Sequence, residues 1–114
     1  MTRTARLAFI AATLVATTGA ANAASFCADA WHADERTVCR TPGMVRVDQN
    51  MNRYYHKLMG ELGSYGRWRL RAHQRDWLDA RRACGGDATC IRLAYRERVH
   101  ALRAIARREG VDLD

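Results

Sequence analysis

Cysteines at positions 27, 39, 84 and 90 constrain this 114-residue chain more than any other feature. Behind an export signal, an even number of cysteines reads as two disulfides, because the compartment outside the inner membrane is oxidising. The signal is residues 1–23. Arg3 and Arg6 supply positive charge, Leu7 to Val15 form a short apolar run, and Ala21-Asn22-Ala23 offers a small-x-small cleavage site. Cys27 lies beyond that cut and follows the bulky Phe26, which argues against lipid attachment. The sequence-local pairing, Cys27 with Cys39 and Cys84 with Cys90, would close loops that stabilise by about 3 and about 2.4 kcal/mol. The connectivity itself stays open at this stage. Zinc sites need closely spaced cysteine knuckles, and these spacings do not supply them.

What remains after the signal is enough for one domain, but its apolar core alone gives a modest stability margin, so covalent staples would help. No later stretch approaches the roughly 20 apolar residues of a spanning helix, so stable membrane insertion is not expected. The expected location is periplasmic or secreted. The chain carries 19 lysines and arginines against 12 acids, a formal net charge of +7, of which +5 remains once Arg3 and Arg6 leave with the signal. An exported protein seldom meets nucleic acid, so anionic envelope surfaces are the better match for that charge. His32, His56, His73 and His100 are scattered without an HExxH pattern, and nothing pairs a nucleophile with a histidine. No catalytic residue, metal site or cofactor is assigned, and the chain reads as a non-enzyme.

The expected fold is all-α: a small disulfide-stapled domain, residues 24–110, of one short and three longer helices, followed by a frayed tail at 111–114. The short helix covers Ala33 to Cys39, with Asp34 and Glu35 in the first turn, where carboxylates complement the helix dipole. On one continuous helix Cys27 and Cys39 would stand about 18 Å apart, so a disulfide between them requires a break near Ala30 to His32. Thr41 and Pro42 read as the N-cap and first residue of a second helix. Its inward stripe would be Met44, Val47, Met51, Tyr55, Leu58 and Leu62. Gly60, Gly63 and Gly66 should break it. Ser64 could then cap a third helix from about Gly66, carrying Trp68, Leu70, Trp77 and Leu78 and ending by Cys84. Asp87 should cap a fourth helix with Ile91, Tyr95, Leu102 and Ile105 inside, stopped by Arg107, Arg108 and Gly110.

Polar residues that fall within these apolar stripes predict partners, since burying them unpaired would cost several kcal/mol. Asp48 lies between Met44 and Met51; Gln74 and Arg81 flank Trp77; Arg98 lies between Tyr95 and Leu102. An economical arrangement pairs Asp48 with Arg81 or Arg98, with Gln74 and the hydroxyl of Tyr55 or Tyr95 completing the hydrogen bonds. Such a cluster reads as a polar clamp that fixes helix register. Trp31, Trp68 and Trp77 read mainly as packing residues, with Trp31 or Trp68, beside the turns, as the candidates for a partner-facing anchor.

These residues also carry a resemblance. Cys27, Glu35 and Cys39, then Met44, Val47, Asp48 and Tyr55, then Gln74, Trp77, Leu78 and Arg81, then Cys84, Cys90, Tyr95, Arg98 and Leu102 occur in that order. The ordered set is similar to the LprI-type lysozyme-inhibitor-like family and spans nearly the whole chain after the signal. Met44 and Val47 stand where that pattern has leucines, and Arg82 where it commonly has an acid, which makes this domain more basic. The resemblance implies an exported helical domain with two disulfides and, for some relatives, inhibition of lysozyme. The expected partner is therefore a lysozyme-type muramidase or, alternatively, an envelope component: peptidoglycan, anionic lipid or another envelope protein. Animal lysozymes are themselves basic, so inhibition would have to rest on local complementarity to the paired carboxylates of the cleft.

Overall fold

The computed structural model describes residues 26–114, and the signal segment assigned to residues 1–23 lies outside them. The fold is all-α. A 3₁₀ turn at Cys27–Asp29 precedes four helices: α1 (Ala33–Arg40), α2 (Met44–Glu61), α3 (Ser64–Ala83) and α4 (Ala88–Glu109). Both disulfides join sequence-local partners, Cys27 with Cys39 and Cys84 with Cys90, with Cα atoms 5.7 and 5.6 Å apart. The first is possible because the chain leaves helical geometry at Ala30 (φ −62°, ψ 103°) and re-enters it at Ala33, the break that the cysteine spacing demands.

The entry into α2 differs from the expectation. Thr41 ends α1 rather than capping α2, and its Oγ1 donates back to Thr37 O at 2.6 Å. Met44 N donates to Thr41 O at 3.1 Å, and Gly43 lies at φ 81°, ψ −15°. Pro42 and Gly43 are thus the central pair of a type II turn, where the second residue needs a positive φ. The three glycines after Met59 do not all break the chain. Gly60 belongs to α2, Gly63 is the N-cap of α3, and Gly66 lies within α3, which starts at Ser64. A Cβ on Gly66 would sit 3.2 Å from that of Leu62, so a small residue lets the end of α2 pack on the first turn of α3. Arg67 Nη1 donates to Leu62 O at 2.6 Å and satisfies a carbonyl at the α2 terminus.

The start and stop of α4 follow the expected signals. Asp87 accepts from Thr89 N and Cys90 N at 3.0 and 3.1 Å. Gly110 adopts φ 67°, and Val111 N donates to Ala106 O at 2.9 Å, the six-to-one bond of a Schellman ending. The last four residues lie against the core. Val111 and Leu113 are half-buried against the core, and Tyr54 OH lies 3.4 Å from Asp114 Oδ1.

The most extensive contact is between α2 and α4, with α3 packed on α4 and α1 laid across all three. Val38, Leu58, Ile91 and Leu102 are fully excluded from solvent, with Met51 and Leu70 close behind. Each such side chain contributes roughly 1.5–3 kcal/mol relative to exposure. The stripe of α2 keeps its expected register at Met44, Met51, Leu58 and Leu62, all buried, and departs from it at two positions: Tyr54 is buried with Tyr55 half-buried beside it, and Val47 is 40% exposed. On α3, Trp77 is buried but Trp68 and Leu78 face outward. Among the described residues, no helix is long and apolar enough to cross a membrane.

Candidate functional site

Asp48, Gln74, Arg81, Tyr95 and Arg98, drawn from α2, α3 and α4, are all buried, each with no more than 8% of its surface exposed. Arg81 is their centre. Its Nη1 donates to Tyr95 OH at 3.0 Å and lies 3.8 Å from Asp48 Oδ1, while Tyr95 OH donates to that carboxylate at 2.8 Å. Arg81 makes its shortest ion pair with Asp34, Nε to Oδ2 at 2.7 Å, from the first turn of α1. The rings of Phe26, Trp77 and Tyr95 surround the guanidinium carbon at 5.3, 5.4 and 5.9 Å. Trp77 in turn donates its indole N–H to Ala94 O at 2.8 Å, which anchors α3 to α4.

Of the two arginines expected to face Asp48, Arg81 is the one beside it, and Arg98 is taken up by Gln74. Arg98 Nε donates to Gln74 Oε1 at 2.8 Å, whose amide nitrogen points at Met51 Sδ, 3.5 Å away. Asp48 completes its coordination with Asn52 Nδ2 at 3.0 Å. Tyr55 is half-buried, packs edge-on to His56, and stays at the margin of the cluster near Arg98. Two buried atoms, Asp34 Oδ1 and Arg98 Nη2, have no hydrogen-bond partner among the described residues.

Burial dominates the electrostatics. It raises the pKa of Asp48 above 3.8, against the opposing pull of Tyr95, Arg81 and Asn52. It also raises that of Tyr95, which keeps the phenol protonated as the donor to Asp48. Burial lowers the pKa of Arg98. It works against the charge on Arg81 too, but the Tyr95 oxygen and Asp34 outweigh it and hold that guanidinium's pKa above its ordinary value.

A carboxyl whose folded pKa lies above its unfolded one binds protons more tightly in the native state. Its ionisation therefore costs stability as pH rises past about 4. Asp48→Asn is accordingly expected to gain on the parent chain between pH 4 and 7, and to lie within about 1 kcal/mol of it at pH 7. Urea denaturation of both chains across that range checks this; a deficit that widens with pH would contradict it.

The network lies inside the fold, so any recognition by this chain falls to its surface. Among the described residues, no group of three or more histidines, cysteines or acids is placed to hold a metal ion. His32 is half-buried at the N-cap of α1, and His56, His73 and His100 are exposed. Among the described residues, the most exposed large apolar side chain is Trp31, 82% accessible. Its backbone is fixed on both sides: Trp31 N donates to Glu35 Oε2 at 3.0 Å, and Arg36 Nη1 donates to Trp31 O. Glu35 also accepts from His32 N at 3.1 Å, the reciprocal arm of a capping box. The Cys27–Cys39 disulfide closes the same loop. A second aromatic patch pairs Tyr65 and Trp68, stacked at 6.0 Å, with Arg69 over the Tyr65 ring.

Comparison with protein-family models, with curated proteins and with solved structures yields no match for this chain.

Proposed function

We propose that this chain is an exported, non-enzymatic binding protein, periplasmic or secreted, and most concretely an inhibitor of lysozyme-type muramidases that occludes their cleft. The observation that carries this reading is Trp31: a large aromatic side chain, 82% exposed, on a backbone held by two hydrogen bonds within a disulfide-closed loop. An aromatic anchor on a backbone that is already ordered loses less entropy on docking than one on a free loop, and such residues dominate tight interfaces. Arg36, whose guanidinium donates to Trp31 O, and Arg40 one turn further on are exposed on α1 and bring positive charge to the same end of the molecule. That local pairing suits a sugar-binding cleft with two catalytic carboxylates, even when the muramidase surface as a whole is basic.

The similarity to LprI-type domains supports the same reading in one respect only. Its ordered residues include the disulfides and most of the buried network, so it speaks for a shared scaffold and leaves recognition to surface residues such as Trp31. The test is lysis of a peptidoglycan substrate by lysozyme, titrated with the oxidised protein at moderate salt. Stoichiometric inhibition that Trp31→Ala weakens is expected. Unchanged lysis across several muramidase types would defeat the proposal.

The alternative is an envelope protein that holds peptidoglycan, anionic lipid or another envelope protein. It is favoured by the basic excess beyond the signal, 17 lysines and arginines against 12 acids once Arg3 and Arg6 are set aside. It predicts binding to such material that weakens steeply with salt, with lysozyme activity unaffected.

A further inference from the structure

A groove of about 680 Å³ runs between α2 and α4. One wall is a row of exposed basic side chains on α4, the four arginines Arg92, Arg96, Arg103 and Arg107 with His100 between them. Spacings of four, four, three and four residues keep them within an arc of about 80° and spread them over about 22 Å of helix. The floor is apolar, with Met44 and Val47 from α2 and Tyr95 and Val99 from α4. No acidic side chain lines the groove, and among the described residues no carboxylate makes an ion pair with Arg92, Arg96 or Arg107.

An apolar floor beside a long positive wall fits a ligand that is both apolar and anionic along its length. A phospholipid gathers its charge in one headgroup, whereas these arginines stand in two pairs, each about 6 Å apart, spread along the helix. Alternate residues of an extended peptide recur at nearly the same interval, about 6.6 Å. The chain supplies an example in its own tail, Val111-Asp112-Leu113-Asp114. There the apolar members are half-buried against the core and the acids face outward. Asp114 Oδ1 reaches to 3.4 Å from the hydroxyl of Tyr54, which also accepts from Arg103 Nη2 at 3.0 Å, and both of those residues line the groove.

We propose that the α2–α4 groove binds an extended acidic segment of a partner protein in which apolar and acidic residues alternate. Such a segment of about seven residues would span the row. The site is independent of muramidase inhibition, and its test uses no muramidase, so the two readings fail separately.

The experiment is titration of the oxidised protein with a fluorescent peptide of about eight residues that alternates valine or leucine with aspartate. Controls replace every aspartate by asparagine, or every apolar residue by serine, and vesicles containing phosphatidylglycerol test a lipid source for the anion. The expected result is saturable binding that falls about tenfold or more with either control peptide, and by a similar factor in Arg92→Glu/Arg96→Glu. Both arginines are exposed, so that variant should keep its helical circular dichroism. Val47→Asp probes the floor independently and should weaken binding as well. The proposal is overturned if there is no saturable binding, if the serine peptide binds equally well, if charge reversal has no effect, or if only the vesicles bind.

Discussion

Arg81→Met is expected to destabilise the fold by about 3–5 kcal/mol in urea denaturation, the largest effect of any single polar substitution in this chain. Arg81 neutralises two buried carboxylates at once, Asp34 at 2.7 Å and Asp48 at 3.8 Å, and both residues are at most 3% exposed. Removing the guanidinium leaves these acids without a cation in a low-dielectric interior. It also takes from Tyr95 a donor and from the Phe26, Trp77 and Tyr95 rings the charge they enclose. The cost should come mostly from the orphaned acids rather than from lost attraction. The triple variant Arg81→Met, Asp34→Leu, Asp48→Asn should therefore recover most of the loss. A single variant that matches the parent in stability, or a triple variant that is worse than the single, would contradict this assignment.

Opening the Cys27–Cys39 bridge by Cys27→Ser and Cys39→Ser is expected to cost about 3 kcal/mol on the chain-entropy account. The loss should not be confined to global stability. Phe26 and the 3₁₀ turn are tied to α1 through this bridge, and Phe26 covers the Arg81 guanidinium. The same loop carries Trp31, so its amides from Ala28 to Trp31 should exchange faster than those of α3 and α4. Denaturation together with hydrogen exchange reads both effects. Cys84–Cys90 closes a shorter loop, so opening it should cost about 2.4 kcal/mol and should spare Trp31. Equal exchange in the Trp31 region of the two variants would show that the first disulfide does not hold that loop.

Much of this arrangement is legible in the sequence because it follows from local rules. The cysteine spacing demands the break at Ala30, Asp87 marks the start of α4, and Gly110 marks its end. Asp48, Gln74, Arg81, Tyr95 and Arg98 declare their burial by falling within apolar stripes. Other features depend on tertiary packing. Asp34 reads as an ordinary first-turn acid, and only the docking of α1 across α3 turns it into the closest partner of Arg81. Tyr54 and Tyr55 stand three and four residues after Met51, so helical periodicity admits either inside, and the α2–α4 contact selects Tyr54. Thr41-Pro42 fits a helix start as well as a turn, and the signal that separates them is Gly43, whose positive φ completes the type II turn. The docked tail had a signal too, in the alternation of Val111-Asp112-Leu113-Asp114. The exposure of Trp31 and Trp68 follows from their place beside the turns, whereas the hold of Glu35 and Arg36 on the Trp31 backbone is visible only in the structure.

The most direct measurement is calorimetric titration of a lysozyme-type muramidase with the oxidised protein, in parallel with its Trp31→Ala variant. Trp31 is exposed and takes no part in the core, so the variant should match the parent in thermal stability. The account predicts a one-to-one complex that Trp31→Ala weakens by about 30-fold, the size expected when a central aromatic anchor is lost. No measurable complex, or one of equal affinity for both proteins, would contradict it.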